Sequence, residues 1–252
     1  GLLLKSDLLG ETLVNPIAAV AEEDYTDSPD VIFLCVKSYG LNALAPFLER
    51  ITTPSTLIIP LLNGFRVGQT YQKQLNQGIV LEGCIYILGT LLQPGVVRQQ
   101  NSIFRIVFGL PNNIPFNNIL ELEAVQQDLM VSGIKATLSD DIERDTFMKW
   151  AFISATATVG AYFDIPMGEI QKEGEIRTCF ISLLKECKAL AQAMNIRLNK
   201  DIVETNLQVL DKTSADATSS LQKDLKKGNM SESEELLFKM IILGDQYNVT
   251  MA

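Results

Sequence analysis

Lys149 carries the single charge in the stretch TFMKWAFISATATVGAYF, residues 146–163, whose other members are apolar or hydroxylic. A helix so poor in charge is buried over most of its surface. An ammonium within it is partly desolvated, which lowers a lysine pKa towards neutrality and suits the group to general-acid work. The competing reading puts Lys149 near the helix start with its amine snorkelling to water. Asn63-Gly64 ends an apolar, strand-like run. In open parallel sheets ligands bind beyond the carboxyl ends of the strands, so an amide there could hold a ribose hydroxyl or a substrate oxygen. A plain turn explains the same dipeptide. Lys37 closes the preceding strand in the same way, with a solvated loop lysine as its alternative. Glu232 follows a presumed N-cap, Ser231, where a helix dipole alone favours a carboxylate. Ser220 lies in a polar stretch, residues 214–220, that reads as a loop.

The chain contains no histidine. That removes Ser-His and Cys-His nucleophiles, the HExxH metalloproteases and imidazole proton donors. Acid–base work falls to Lys, Asp, Glu, Tyr or Cys.

The elements that would position these residues follow from apolar periodicity. The run DVIFLCVK from Asp30 is continuous, as in a strand buried on both faces of a parallel sheet. Leu41, Leu44, Leu48 and Ile51 then recur at helical spacing over residues 38–50, and residues 56–62 return to an apolar strand. Strand, helix and strand make a βαβ unit and place the first half in the α/β class. A helix is expected over residues 66–75, strands over 79–92 and 103–108 around a Pro94-Gly95 turn, a helix through Leu122, Val125 and Leu129, and a short strand at 134–138. Beyond Asp140 strand-like runs disappear, which puts a domain boundary close to Ile142. Ile176, Phe180, Leu183, Cys187, Leu190 and Met194 form the stripe of a long core-facing helix. Ser231 and Glu234 fit a capping box at the start of a helix through Leu236, Leu237 and Ile241.

With 252 residues, 47% of them hydrophobic, the chain can bury a sizeable core. Its 30 acidic and 21 basic residues give a net charge of −9, which repels phosphate backbones and anionic lipid, so neither nucleic acid nor membrane is an expected partner. The four cysteines, Cys35, Cys84, Cys179 and Cys187, lie far apart without CxxC or metal-ligand spacing, and Cys35 and Cys187 read as buried free thiols. No metal site is expected. No apolar run reaches transmembrane length, and the first residues lack the features of a signal peptide. A cytoplasmic protein is the expectation.

The order and spacing of these features resemble ketopantoate reductase, 2-dehydropantoate 2-reductase. The similar segments are DVIFLCVKSY, LLNG, the stretch from Pro94 to Gly109, Lys149 with GEI at residues 168–170, Ser219-Ser220-Leu221, and SESE at residues 231–234. The resemblance implies an incomplete Rossmann-like doubly wound parallel sheet in residues 1–142 and an all-helical substrate and catalytic domain in residues 143–252. It implies an NADPH-dependent oxidoreductase of pantothenate biosynthesis, reducing a small 2-keto acid to the 2-hydroxy acid. Carried over, it makes Lys149 the proton donor and places Asn63 against both substrate and NADP. Ser220 falls on the substrate carboxylate, and Lys37, Gly89 and Glu232 on the cofactor side. A homodimer is compatible with it. NADPH over NADH is implied by the family alone.

Two departures qualify the match. The family carries asparagines one and two turns beyond its lysine; here Ile153 and Ala157 stand there, with Thr156 or Ser154 as partial substitutes, so a more apolar 2-keto acid is an open alternative. The family also opens with a GxGxxG loop cradling the pyrophosphate, and none of the sixteen glycines here forms a GxG. The expectation is a chain that lacks this N-terminal segment. Two other readings stay open: an inactive remnant acting as a binding protein, and a related hydroxy-acid dehydrogenase of the 6-phosphogluconate dehydrogenase-like group.

Overall fold

The computed structural model describes residues 1–112 and 119–251. The chain divides into two compact units. The first takes Gly1–Val36, Gly40–Leu62 and Val67–Ile142; the second takes Lys37–Tyr39, Asn63–Arg66 and the chain from Glu143 onward. Two short segments from the first half of the sequence thus belong with the C-terminal half, and they carry Lys37 and Asn63.

The first unit opens with a hairpin, β1 (Leu2–Ser6) and β2 (Gly10–Val14). A Rossmann-like parallel sheet follows, built from β3 (Val31–Leu34), β4 (Leu57–Pro60) and β5 (Ile79–Val80), with β4 in the middle. All four residues of β4 are buried, as its unbroken apolar run requires for a strand covered on both faces. Between β3 and β4 runs α1 (Leu41–Ile51), which lays Leu48 and Ile51 against Ile58 and Leu62. Full burial of one such side chain contributes about 1.5–3 kcal/mol. After β4 comes the short α2 (Val67–Gln72), whose Tyr71 hydroxyl donates to the Leu41 carbonyl at 2.9 Å.

The expected strand over residues 79–92 is two strands. β5 ends at Val80, and after Leu81 the chain enters β6 (Glu82–Gln93), which pairs antiparallel with β7 (Val96–Gly109). Glu82 sits at this break, its buried carboxylate accepting from the Gln69 N–H at 2.8 Å. The hairpin turns at Gly95, which adopts φ 78°, a conformation glycine reaches without a steric penalty. β7 also pairs in parallel with β1 and with β8 (Lys135–Leu138), giving a mixed five-stranded sheet. α3 (Ile119–Val131) closes its core by burying Leu122, Val125 and Leu129.

The second unit is helical among the described residues. Its longest helix, α4 (Ile142–Phe163), is apolar around its circumference because it feeds two cores. Phe147, Trp150 and Ala151 join one; Ala155 and Val159 join the other. α5 (Met167–Gln171) leads to α6 (Glu175–Ala193), which buries Phe180, Leu184, Cys187 and Leu190. α7 (Ile202–Asp211) starts at Asp201, whose carboxylate caps the Val203 and Glu204 N–H groups. α8 (Ser220–Lys226) and a π-helical turn (Glu234–Phe238) running into α9 (Lys239–Tyr247) complete the unit. No described helix is long and apolar enough to cross a membrane.

Three local expectations fail. The capping box at Ser231 and Glu234 does not form: the Ser231 hydroxyl bonds the Ser233 hydroxyl instead, and the helix begins in π geometry. A capping box does form at Ser219 and Gln222, where the sequence reads as a loop, so Ser220 is the first residue of a helix. Cys35 is exposed rather than buried, because β3 ends at Leu34 and leaves it outside the ladder.

Candidate active site

Lys149 lies in the second turn of α4, half-buried, and its ammonium donates to the Asn63 side-chain oxygen at 2.9 Å. The snorkelling alternative therefore fails in its simple form, since the amine is held against another candidate residue. Asn63 follows three residues after β4 ends and opens the segment Asn63–Arg66. Its oxygen faces Lys149, leaving its amide nitrogen without an acceptor among the described residues.

The segment carrying Asn63 is anchored by an aromatic side chain. Phe65 is completely buried, stacked on Trp150 at 5.3 Å and edge-on to Phe147 at 5.1 Å. Trp150 is the neighbour of Lys149 in sequence, so the loop rests against the helix that bears the ammonium. Arg66 follows at φ 53°, in the left-handed region, and is held by Glu143 at the start of α4 through its Nε at 2.6 Å.

Lys37 and Glu232 form a second pair. The Lys37 ammonium meets the Glu232 carboxylate at 3.0 Å and Asp224 at 3.4 Å, and the Ser38 N–H donates to the other Glu232 oxygen at 3.3 Å. Glu232 is 4% exposed, so its charge is compensated rather than solvated. Burial pulls the Lys37 pKa down, but the hydrogen bond and charge of Glu232, with Asp224 behind them, outweigh it and leave the pKa raised. Neither the loop-lysine reading of Lys37 nor the dipole reading of Glu232 describes this contact.

Ser220 is exposed at the first position of α8, the helix that also carries Asp224. Gly89 is on β6 in the first unit. A Cβ there would meet, among the described residues within 4 Å, the Arg98 carbonyl oxygen at 3.9 Å, so that side of the strand is open. The structure thus joins Lys149 with Asn63 and Lys37 with Glu232 inside one compact unit. In the sequence Asp224 is marked only as the acid within the basic run Lys223–Lys227. Glu235 and Lys239, which grip the Asn63 loop, were visible only as charges four apart.

Comparison with known proteins identifies the family and the fold. Residues 1–113 match the family described as ketopantoate reductase PanE/ApbA, and residues 141–252 match its C-terminal domain. The chain is 26% identical over 209 residues to the uncharacterized oxidoreductase YkpB of Bacillus subtilis, an alignment covering 82% of this chain and 67% of that protein. A PanE/ApbA family ketopantoate reductase from Ralstonia eutropha JMP134 superposes with a TM-score of 0.85 at 22% identity, over 99% of this chain and 80% of that one. D-mandelate dehydrogenase in complex with NADH and anilino(oxo)acetate superposes with a TM-score of 0.87 at 19% identity, with the same two coverages.

Proposed function

Because the chain belongs to the ketopantoate reductase family of oxidoreductases, we propose that it reduces a 2-oxo acid to the 2-hydroxy acid with hydride from NADPH, Lys149 giving the proton. The observation that carries this reading is the 2.9 Å bond from the Lys149 ammonium to Asn63, just past the carboxyl end of a parallel strand.

The residues fit a nicotinamide dinucleotide in two respects. Lys37 and Asn63 follow the carboxyl ends of β3 and β4, the edge where such sheets bind dinucleotides. The amide nitrogen of Asn63, which has no acceptor among the described residues, can donate to an oxygen of the cofactor or the substrate. Bound NADPH supplies the hydride. A positive Lys149 stabilises the negative charge growing on the keto oxygen and then transfers its proton there, so one group gives both electrostatic and acid catalysis. Asn63 aims that ammonium. Ser220 holds the substrate carboxylate, while Lys37, fixed by Glu232, and the open strand at Gly89 lie on the cofactor side.

A specific observation favours an apolar substrate over ketopantoate. Ile153 and Ala157 stand one and two turns beyond Lys149 on the same face of α4. The Thr156 hydroxyl donates to the Phe152 and Ile153 carbonyls, while the Ser154 hydroxyl is buried without a partner among the described residues, so of the two only Ser154 has a hydroxyl left to stand in for an amide. A 2-oxo acid with an aryl or branched apolar side chain suits this face, and the similarity to a mandelate dehydrogenase points the same way.

Calorimetry with NADPH and NADH, on the protein as its gene encodes it, tests the reading. Nucleotide oxidation is then followed with ketopantoate and with phenylglyoxylate. Lys149→Ala is expected to lower turnover by roughly 100-fold or more while nucleotide still binds. A folded protein that binds neither nucleotide would instead support a non-catalytic binding protein.

A further inference from the structure

The peptide of Phe65 is gripped from both sides. Its N–H donates to the Glu235 carboxylate at 3.2 Å, and its carbonyl accepts from the Lys239 ammonium at 2.5 Å. Glu235 and Lys239 are themselves paired at 2.6 Å, with side chains 18% and 22% exposed. The Glu235 backbone carbonyl accepts from the Trp150 indole N–H at 3.0 Å. One ion pair therefore holds the loop that presents Asn63, and the same residue holds the neighbour of Lys149.

The helix is built for this contact. Residues Glu234–Phe238 form a π-helical turn in which the Lys239 N–H reaches back to the Glu234 carbonyl. Such turns cost regular hydrogen-bond geometry and recur at functional sites. This one directs an acceptor and a donor, four residues apart, at a single peptide group. Ring stacking of Phe65 alone would leave the loop free to slide over Trp150; two hydrogen bonds of opposite sense to one peptide remove that freedom.

We propose that Glu235 and Lys239 are positioning residues that act through Asn63, fixing its side-chain oxygen where it meets the Lys149 ammonium. The proposal rests on the reading of Lys149 and Asn63 as the reacting pair. The clamp residues bond to the Phe65 peptide and to each other. Together they set the place of Asn63, and displacement of such a group by about 1 Å can cost on the order of 100-fold in rate.

A double-mutant cycle on the intact protein tests it. Lys239→Met is expected to lower kcat roughly 10- to 100-fold, and Lys239→Arg, which keeps the donor and the charge, to recover most of that loss. In an Asn63→Ala background the further effect of Lys239→Met should nearly vanish, because the residue it positions is gone. Should Lys239→Met not fold, the shorter, neutral Lys239→Gln takes its place in the cycle. Losses that multiply across the double variant overturn the clamp and leave the reductase reading intact. So does a lower melting temperature with kcat and KM per folded molecule unchanged, which would make the pair merely structural. A fully active Asn63→Ala protein overturns the assignment of Asn63, and the clamp with it.

Discussion

The side-chain amide of Gln222 donates to the Gly160 carbonyl at 2.8 Å, fastening the start of α8 to the end of α4. The same nitrogen reaches the Ile165 carbonyl at 2.9 Å, and the Gln222 oxygen accepts from the Ser219 N–H at 2.9 Å. A 3% exposed amide thus supplies partners for groups left open at the ends of two helices. One of those helices bears Lys149, and the other begins with Ser220.

Replacing Gln222 by leucine keeps the volume and removes the bonds, leaving buried polar groups unpaired at about 1–3 kcal/mol. A fall of several degrees in melting temperature is expected, with a raised KM for the 2-oxo acid as Ser220 shifts. Gly160→Ala offers a sharper check. In a helix interior this change ordinarily stabilises by about 1 kcal/mol. Here the added Cβ would meet the Gln222 oxygen at 2.6 Å. Thermal denaturation should show destabilisation, and a stabilised variant would mean that the Gln222 contact gives way at no cost.

Gln222 also shows where sequence reading stops. Ser-x-x-Gln at residues 219–222 and Ser-x-x-Glu at residues 231–234 fit the same capping rule, yet only the first forms a box. What separates them is tertiary: Gln222 has the Gly160 carbonyl of a distant helix and the Ile165 carbonyl just beyond it within reach, whereas Ser231 turns to Ser233. The buried run of β4 and the stripe of α6 were legible because their partners are generic apolar surface. Lys149 stood out as a lone charge in an apolar helix. Its bond to Asn63 spans 86 positions and leaves no local trace. The same holds for the Lys37 to Glu232 pair, whereas the break after Leu81 coincides with Glu82, the single charge in residues 79–92, which the strand reading passes over.

Arg66 holds a backbone conformation, φ 53°, that costs a non-glycine residue of order 1 kcal/mol. Its guanidinium compensates by pairing with Glu143 and lying over the Phe65 ring at 5.2 Å. Arg66→Ala loses the contacts and keeps the strain, while Arg66→Gly loses the contacts and relieves it. Urea unfolding should therefore rank the three proteins with arginine most stable, then glycine, then alanine. A gap of about 1 kcal/mol is expected between the last two. Equal stability of the glycine and alanine variants would show that the backbone is not strained there.

Two ion pairs in the second unit set opposite limits on stability as pH changes. The Lys37 pKa lies above its ordinary value of 10.5, so its pairing with Glu232 contributes fully below that value and fades as pH rises through the higher folded-state pKa. Asp211 behaves in the reverse sense. Its bidentate bonds from Arg177, at 2.8 and 3.0 Å, hold its pKa below 3.8, so this contribution is present above 3.8 and is lost as pH falls through the folded-state value. Melting temperatures followed between about pH 2 and 12 should fall at both ends. Glu232→Gln should flatten the alkaline fall and leave the acid one, and Asp211→Asn should do the opposite. Because Lys37 and Asp211 are each partly exposed, the differences should shrink in high salt. Glu232→Gln should also raise the nucleotide KM more than it lowers kcat, since it loosens Lys37 without touching the Lys149 to Asn63 bond. A variant whose loss falls on kcat alone would place Glu232 with the reacting groups rather than on the cofactor side.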